Sequence, residues 1–285
     1  QDYMVAAVDY NYYIPEYQMR GVDVYEQVVN LTLDERQKIW EFLLNNIKPE
    51  NRVYRYNIFY DNCTTKLADI LEQNIDGKII YPKNNKEQSF RNLVHEHVNK
   101  QPWMQFGIDL IIGNGADKPI TVREKMFLPL YEKNTFDESH IQLADGTTKP
   151  LIIKESTIPP FERSDKEENS FFTPLTVGII LLVLAILVSI YGFRKDCTVC
   201  KIFDTLLFLV AGVGGCIVFF MMYFSIHPCT NPNWNLVWLN PLQLIVSFLF
   251  FVKACRKYVY YYHFINFATL LIFLLAWCLI PQQLE

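Results

Sequence analysis

At 285 residues the chain is long enough for two domains, and its 51% hydrophobic content, with Phe 21 and Tyr 17, is high for a soluble enzyme. The formal net charge of -4, with no basic stripe and no recognition motif, argues against a nucleic-acid partner. The apolar excess is uneven, since residues 1–170 hold most of the charge and residues 171–280 are long apolar runs.

The chain opens on Gln1 with no initiator Met, charged n-region or apolar h-region, and so reads as an excised piece of a longer protein. Asp2 to Tyr17, rich in Tyr and Val, suits strand and connecting loop. Thr32-Leu33-Asp34-Glu35 is a capping box, because the Thr32 hydroxyl and the Glu35 carboxylate can each accept from the other's backbone amide. A helix from about Leu33 to Asn46 follows, with Trp40, Leu43, Leu44 and Ile47 as its apolar face and Pro49 closing it. Val53 to Tyr60 then runs extended and aromatic.

Asp61 and Asn62 are good N-cap residues, and Leu67, Ile70 and Leu71 repeat at helical spacing, so a helix begins about at Cys63 and ends at Asp76-Gly77. Cys63 is then a first-turn thiol, where the partial positive charge of unsatisfied amides favours the reactive thiolate. Four residues before Leu67, it is expected to share the buried face and be held in place. Tyr56, Asn57 and Asp61 could hydrogen-bond around the thiol and its helix start. The plainer alternative is that Cys63 is a small packing residue and these are ordinary loop residues.

Phe90 to Lys100 reads as a short helix carrying His95 and His97, and Trp103 to Ile112 is mostly apolar. Gly113 and Gly115 are a plain turn, because no Gly-Lys-Ser/Thr follows them. Ser139 to Ala144 and Thr147 to Glu155 flank Asp145-Gly146, a hairpin signal. Residues 1–158 are expected to form one domain, 159–170 a charged juxtamembrane linker, and 171–285 a transmembrane domain.

Four apolar stretches, about Pro174 to Phe193, Phe203 to Ile226, Trp234 to Val252 and Tyr258 to Ile280, are each near the roughly 20 residues that cross a bilayer. Arg194, Lys195 and Lys201 fill the first connection and Lys253, Arg256 and Lys257 the third, whereas His227 to Asn233 holds no Lys or Arg. By the positive-inside rule residues 1–170 face outward, which in a Gram-negative cell puts Cys63 in the periplasm. In the outward loop Trp234 and Trp238 suit an interfacial aromatic belt, and His227, Asn233, Trp234 and Asn235 are candidate contacts for a lipid head group or a substrate terminus. The seven cysteines do not make a disulfide framework, and Cys63 and Cys229, which share the oxidising compartment, are expected to stay apart. Cys197-x-x-Cys200 with Cys255 falls short of four zinc ligands, so no metal is expected.

The run ENRVYRYNIFYDNCTTK (Glu50 to Lys66), with YEQVVNLTLDE before it and WMQFGIDLIIG and ADKPIT after it, resembles the periplasmic domain of the Lnb-type lipoprotein N-acyltransferases. The likeness extends over nearly the whole chain, and its most specific part is Tyr56 to Thr65. More distantly, the Asn62-Cys63 pair is similar to lecithin:retinol acyltransferase and NlpC-type peptidase domains. The resemblance implies an α+β papain-like domain of that permuted type, followed by an α-helical transmembrane domain. It implies Cys63 as nucleophile, a phospholipid as acyl donor, the α-amine of a diacylated lipoprotein as acceptor, and no cofactor. In the Lnb-type and lecithin:retinol acyltransferase-like families the base is a His upstream of the Cys, after a Gly on a strand. No His precedes Cys63 here, so the partner is expected before Gln1, with His95 or His97 as the lesser alternatives. A membrane-anchored cysteine peptidase or amidase and a non-catalytic membrane scaffold remain as other readings.

Overall fold

The computed structural model describes residues 2–162, 171–193 and 198–284. Most of the expected linker, Gln1, the first-loop cations Arg194 and Lys195, and Cys197 lie outside the described residues. In chain order the elements are β1 (Asp2–Met4), α1 (Tyr10–Met19), β2 (Val24–Val29), α2 (Leu33–Asn46), β3 (Val53–Arg55), α3 (Cys63–Asn74), β4 (Lys78–Ile80), α4 (Phe90–Val98) and α5 (Pro102–Ile111). They continue with α6 (Val122–Lys125), α7 (Pro129–Glu138), β5 (His140–Gln142), β6 (Thr148–Pro150), β7 (Ile152–Ile158), α8 (Pro174–Phe193), α9 (Thr198–Tyr223), α10 (Leu242–Leu249) and α11 (Arg256–Leu275). An N-terminal α+β region therefore precedes a helical transmembrane region.

The chain forms two compact units, Gln1–Glu87 with Pro119–Lys166 and Gln88–Lys118 with Glu167–Glu285. Residues 88–118, grouped on sequence with the periplasmic domain, thus cluster with the membrane helices.

In the first unit, β1 pairs antiparallel with β3, β2 with β7 through a bulge at Val28/Val29, and β4, β5 and β6 form a three-stranded sheet. The hairpin turn at Gly146 takes φ 87°, a left-handed conformation that glycine adopts without a Cβ clash. The core packs α3 against that sheet and α7: Ala68, Leu71 and Ile75 meet Ile79, Phe136, Ile141 and Leu151. The capping box at Thr32 and Glu35 is complete, and the helix spans the expected Leu33–Asn46. Glu35 does more than cap. Only 1% exposed, its carboxylate also accepts from the Asp76 amide at 2.8 Å, which ties the start of α2 to the end of α3. Two expectations are corrected. The segment Asp2 to Tyr17 holds only a three-residue strand, because the Asp9 side chain accepts from the Asn11 amide and starts a helix there. The apolar face drawn on α2 is largely open, with Trp40, Leu43, Leu44 and Ile47 all exposed, while Ile39 packs on the core.

The second unit is organised around Arg91. Its side chain, 0% exposed, donates to Asp109 at 2.5 Å, to Asp117 at 2.7 Å and to the carbonyls of Ile112 and Gly113. His95 Nε2 joins Asp109 at 2.8 Å. A buried guanidinium needs this saturation, since an unpaired charge there is costly. Three helical segments are long and apolar enough to cross a membrane: Pro174–Phe193, Thr198–Tyr223 and Lys253–Leu275. The expected third stretch, Trp234 to Val252, is corrected. It holds a 3-10 turn, Trp234–Val237, and then α10, whose 8 residues rise about 12 Å against a hydrocarbon core of about 30 Å. Pro241, which lacks an amide, sits at the break, where Gln243 Nε2 bonds the Trp238 carbonyl and Asn240 Oδ1 accepts from the Leu242 amide. At Gly212 α9 approaches α10 so closely that a Cβ would run into the Leu244 backbone.

Candidate active site

The first turn of α3 is built by one asparagine. Asn62, 4% exposed, accepts from the amides of Thr64 and Thr65 at 2.9 Å each and donates to the carbonyls of Ile58 at 2.9 Å and Phe127 at 2.8 Å. Thr65 Oγ1 closes the box by accepting from the Asn62 amide at 2.9 Å. The cap takes up the second and third amides of the helix, and the Cys63 amide, at the positive end of the helix dipole, has no acceptor among the described residues. Upstream, Asn57 and Asp61 exchange backbone hydrogen bonds, and Asn57 Oδ1 accepts from the amides of Phe59 and Tyr60. The sharp turn that aims the chain into α3 thus uses Asn57 and Asn62 as brackets.

Cys63 is exposed, its Sγ 3.9 Å from Thr64 Oγ1. The expectation that it shares a buried face is corrected. Thr64, Thr65, Ala68 and Leu71 form that face, and Leu67, one turn on from Cys63, is 54% exposed. Cys63 and Leu67 instead line a cavity of about 440 Å3. Its walls are mainly apolar, from Met4, Val5, Phe42, Leu43 and Ile70, with Lys66 and Asp69 among the polar lining. Lys66 is paired with Asp61 at 2.6 Å and lies over the Tyr54 ring at 5.2 Å. Tyr56 stacks on Tyr3 with ring centroids 4.2 Å apart. Burial, and after it the nearby charge of Cys63, hold the phenols of Tyr54 and Tyr56 above the usual range, so both are neutral at working pH.

Beneath α3 lies a charged network that the sequence did not announce. Arg123 donates to Asp69 at 2.5 Å and to Glu72 at 2.9 Å, and Tyr81 donates to Glu72. Glu132, 4% exposed, has an Oε1 without a hydrogen-bond partner among the described residues. Burial, outweighing the pull of Arg123, pushes its carboxyl up to about 8. Glu132 stands outside every motif read from the sequence, since nothing in PLYEKNTF marks one carboxylate as buried.

No histidine lines the Cys63 cavity among the described residues. His95 is held by Asp109, and His97 Nδ1 lies 2.9 Å from the Leu93 carbonyl. The outward-loop candidates are structural in their contacts. Asn233 Nδ2 donates to the carbonyls of Leu110 and Ile111, and Asn235 Nδ2 to that of Asp109, so both brace the end of α5. The Trp234 amide donates to Gln282, whose amide nitrogen reaches the Ile112 carbonyl. His227 is half-buried, with Nδ1 lacking a hydrogen-bond partner among the described residues. Cys63 carries no disulfide among the described residues.

No curated protein and no solved structure matches the chain. Two family models do: residues 1–96 match the Lnb N-terminal periplasmic domain, and residues 166–285 match the Lnb transmembrane domain. Matched in both its periplasmic and its membrane part, the chain belongs to the Lnb family and is a membrane protein of lipoprotein processing.

Proposed function

We propose that this protein is an inner-membrane, multi-pass lipoprotein N-acyltransferase with a papain-like periplasmic domain, in which Cys63 carries the acyl chain between a phospholipid and a diacylated lipoprotein. The observation that carries the reading is an exposed thiol at a helix N-terminus, on the wall of a mainly apolar cavity. The Cys63 thiolate attacks an ester carbonyl of the donor, a carbon–sulfur bond forms, and the lysophospholipid leaves as its alkoxide and takes up a proton. The open amide of Cys63 is suited to the oxyanion that develops at that carbonyl. The free α-amine of the lipoprotein's N-terminal cysteine then attacks the thioester. A carbon–nitrogen bond forms, the carbon–sulfur bond breaks, and the thiolate returns as the amine loses a proton. The reading needs a proton acceptor from outside the cavity lining, of the histidine type that the resemblance implies.

Three helices long and apolar enough to cross a membrane support multi-pass insertion, and two contacts tie that region to α5. Trp103 Nε1 donates to the Phe172 carbonyl just before α8, and Gln282, beyond α11, bonds the Ile112 carbonyl just past α5. The start and the end of the membrane region are thus held at the same helix. The apolar cavity wall disfavours the peptidase or amidase reading, which calls for a polar groove around a peptide. Intact-mass analysis of the full chain after incubation with phospholipid tests the proposal. Wild type is expected to gain one acyl mass and Cys63→Ala none. No gain in wild type, or a gain that survives Cys63→Ala, overturns it. Iodoacetamide alkylation separates the scaffold reading, for which Cys63 would react no faster than an ordinary exposed thiol.

A further inference from the structure

A second cavity, of about 570 Å3, lies within the membrane unit between α5 and the first half of α8. Along α8 its wall runs from Thr173 and Pro174 to Leu182, and along α5 it includes Pro102, Phe106 and Asp109. The apolar lining outweighs the polar, which is confined to Gln105, Asp109 and Thr173. From Pro174 to Leu182 a helix rises about 12 Å, and half of a ~30 Å hydrocarbon core is about 15 Å, so the groove has the depth of one leaflet.

Two further features bear on the occupant. α8 buries none of its residues, and the lining residues Leu175, Ile179 and Leu182 are 73%, 53% and 61% exposed, so the groove is continuous with the surface that α8 turns to lipid. At Gly178 a Cβ would meet nothing within 4 Å, so the helix leaves room on that wall where a larger side chain would fill it. Asp109 is already bonded to Arg91 and His95, which fixes the polar end. Deep, apolar and open to the bilayer, this groove matches a hydrocarbon chain better than a peptide or a polar small molecule.

We infer that the groove between α5 and α8 is a lipid-binding site that holds one acyl chain of an outer-leaflet phospholipid against Phe106, Gly178 and Leu182. The inference stands apart from the acyl-transfer reading, since an amidase or a scaffold with this membrane region would hold the same chain.

The test is photo-crosslinking of the full chain, reconstituted in phosphatidylethanolamine nanodiscs doped with a phospholipid that carries a diazirine in one acyl chain. Labelled peptides are expected to concentrate on residues 102–109 and 174–182. Gly178→Phe, which fills the groove on a lipid-facing helix, is expected to cut that labelling about tenfold, the equivalent of ~1.4 kcal/mol of binding. Leu181→Phe, on the same helix but outside the lining, should leave it unchanged and Cys63→Ala should not alter it. Labelling spread evenly over α8, α9 and α11, or indifferent to Gly178→Phe, overturns the site. A labelled groove with no acyl gain on Cys63 removes the transferase reading alone, and the reverse pattern removes the groove alone.

Discussion

In the first turn of α3, Asn62 directs all of its hydrogen bonds inward, and the residue beside it, Cys63, is left open to a cavity. In the loop before α10, Asn233 and Asn235 also direct theirs inward, but what they grip is the backbone at the end of α5. The same residue type serves both places, and in both the side chain holds backbone groups. A dense run of asparagines therefore marks a backbone that must be held in an irregular path, and at α3 that brace leaves the neighbouring thiol exposed.

The largest expected effect breaks the closed side of this comparison. Arg91→Leu removes the cation from between Asp109 and Asp117, which keep only His95 and the Gln283 amide against their buried charge, and takes one donor from each of the Ile112 and Gly113 carbonyls. A loss of about 3–5 kcal/mol follows from stranding buried charge. Thermal unfolding of the detergent-solubilised chain should show it as a much lower midpoint. If the variant unfolds like wild type, the Arg91 network is not what holds the second unit together.

How far the sequence reveals these two places depends on whether the bonds are local. The capping box at Thr32, the helix start at Cys63 and the hairpin at Asp145-Gly146 were all legible, since each is settled by residues within four positions of one another. The pairing of β2 with β7, more than 120 residues apart, left no trace in either strand. Likewise, periodicity put Cys63 and Leu67 on one face correctly but could not tell that the face lines a cavity rather than the core. That outcome depends on Phe42 and Met4, brought in from other elements. The break near Pro241 lies hidden inside the apolar stretch Trp234 to Val252, and the short α10 it produces is set by Asn240 Oδ1 accepting from the Leu242 amide and by Gln243 bonding back to the Trp238 carbonyl.

A smaller effect, specific to pH, sits beneath the open site. Glu132 is held up to about 8 from an ordinary 4.5 by burial, so the folded state binds its proton over a range where the unfolded chain has released it. The stability this group contributes is complete below about 4.5 and is lost as pH rises through about 8. Between pH 5 and pH 8 the loss amounts to ~3 kcal/mol. Glu132→Gln keeps the shape and has no proton to lose, so the difference between wild-type and variant unfolding should grow with pH across that window. A difference that stays flat would mean the carboxyl is ionised in the fold.

The smallest effect sharpens the open side, at Tyr56. Its ring stacks on Tyr3, and its phenol, held neutral chiefly by burial, has no hydrogen bond among the described residues. The ring and the hydroxyl can therefore be separated. Tyr56→Ala removes the stack and should cost about 1 kcal/mol, whereas Tyr56→Phe should stay within about 0.5 kcal/mol of wild type. If Tyr56 supports the site only as a wall, the rate of iodoacetamide alkylation at Cys63 and its dependence on pH will be the same in wild type and Tyr56→Phe. A tenfold slower reaction in Tyr56→Phe would instead mean that the hydroxyl reaches the sulfur and donates to the thiolate, which would make Tyr56 part of the chemistry rather than part of its frame.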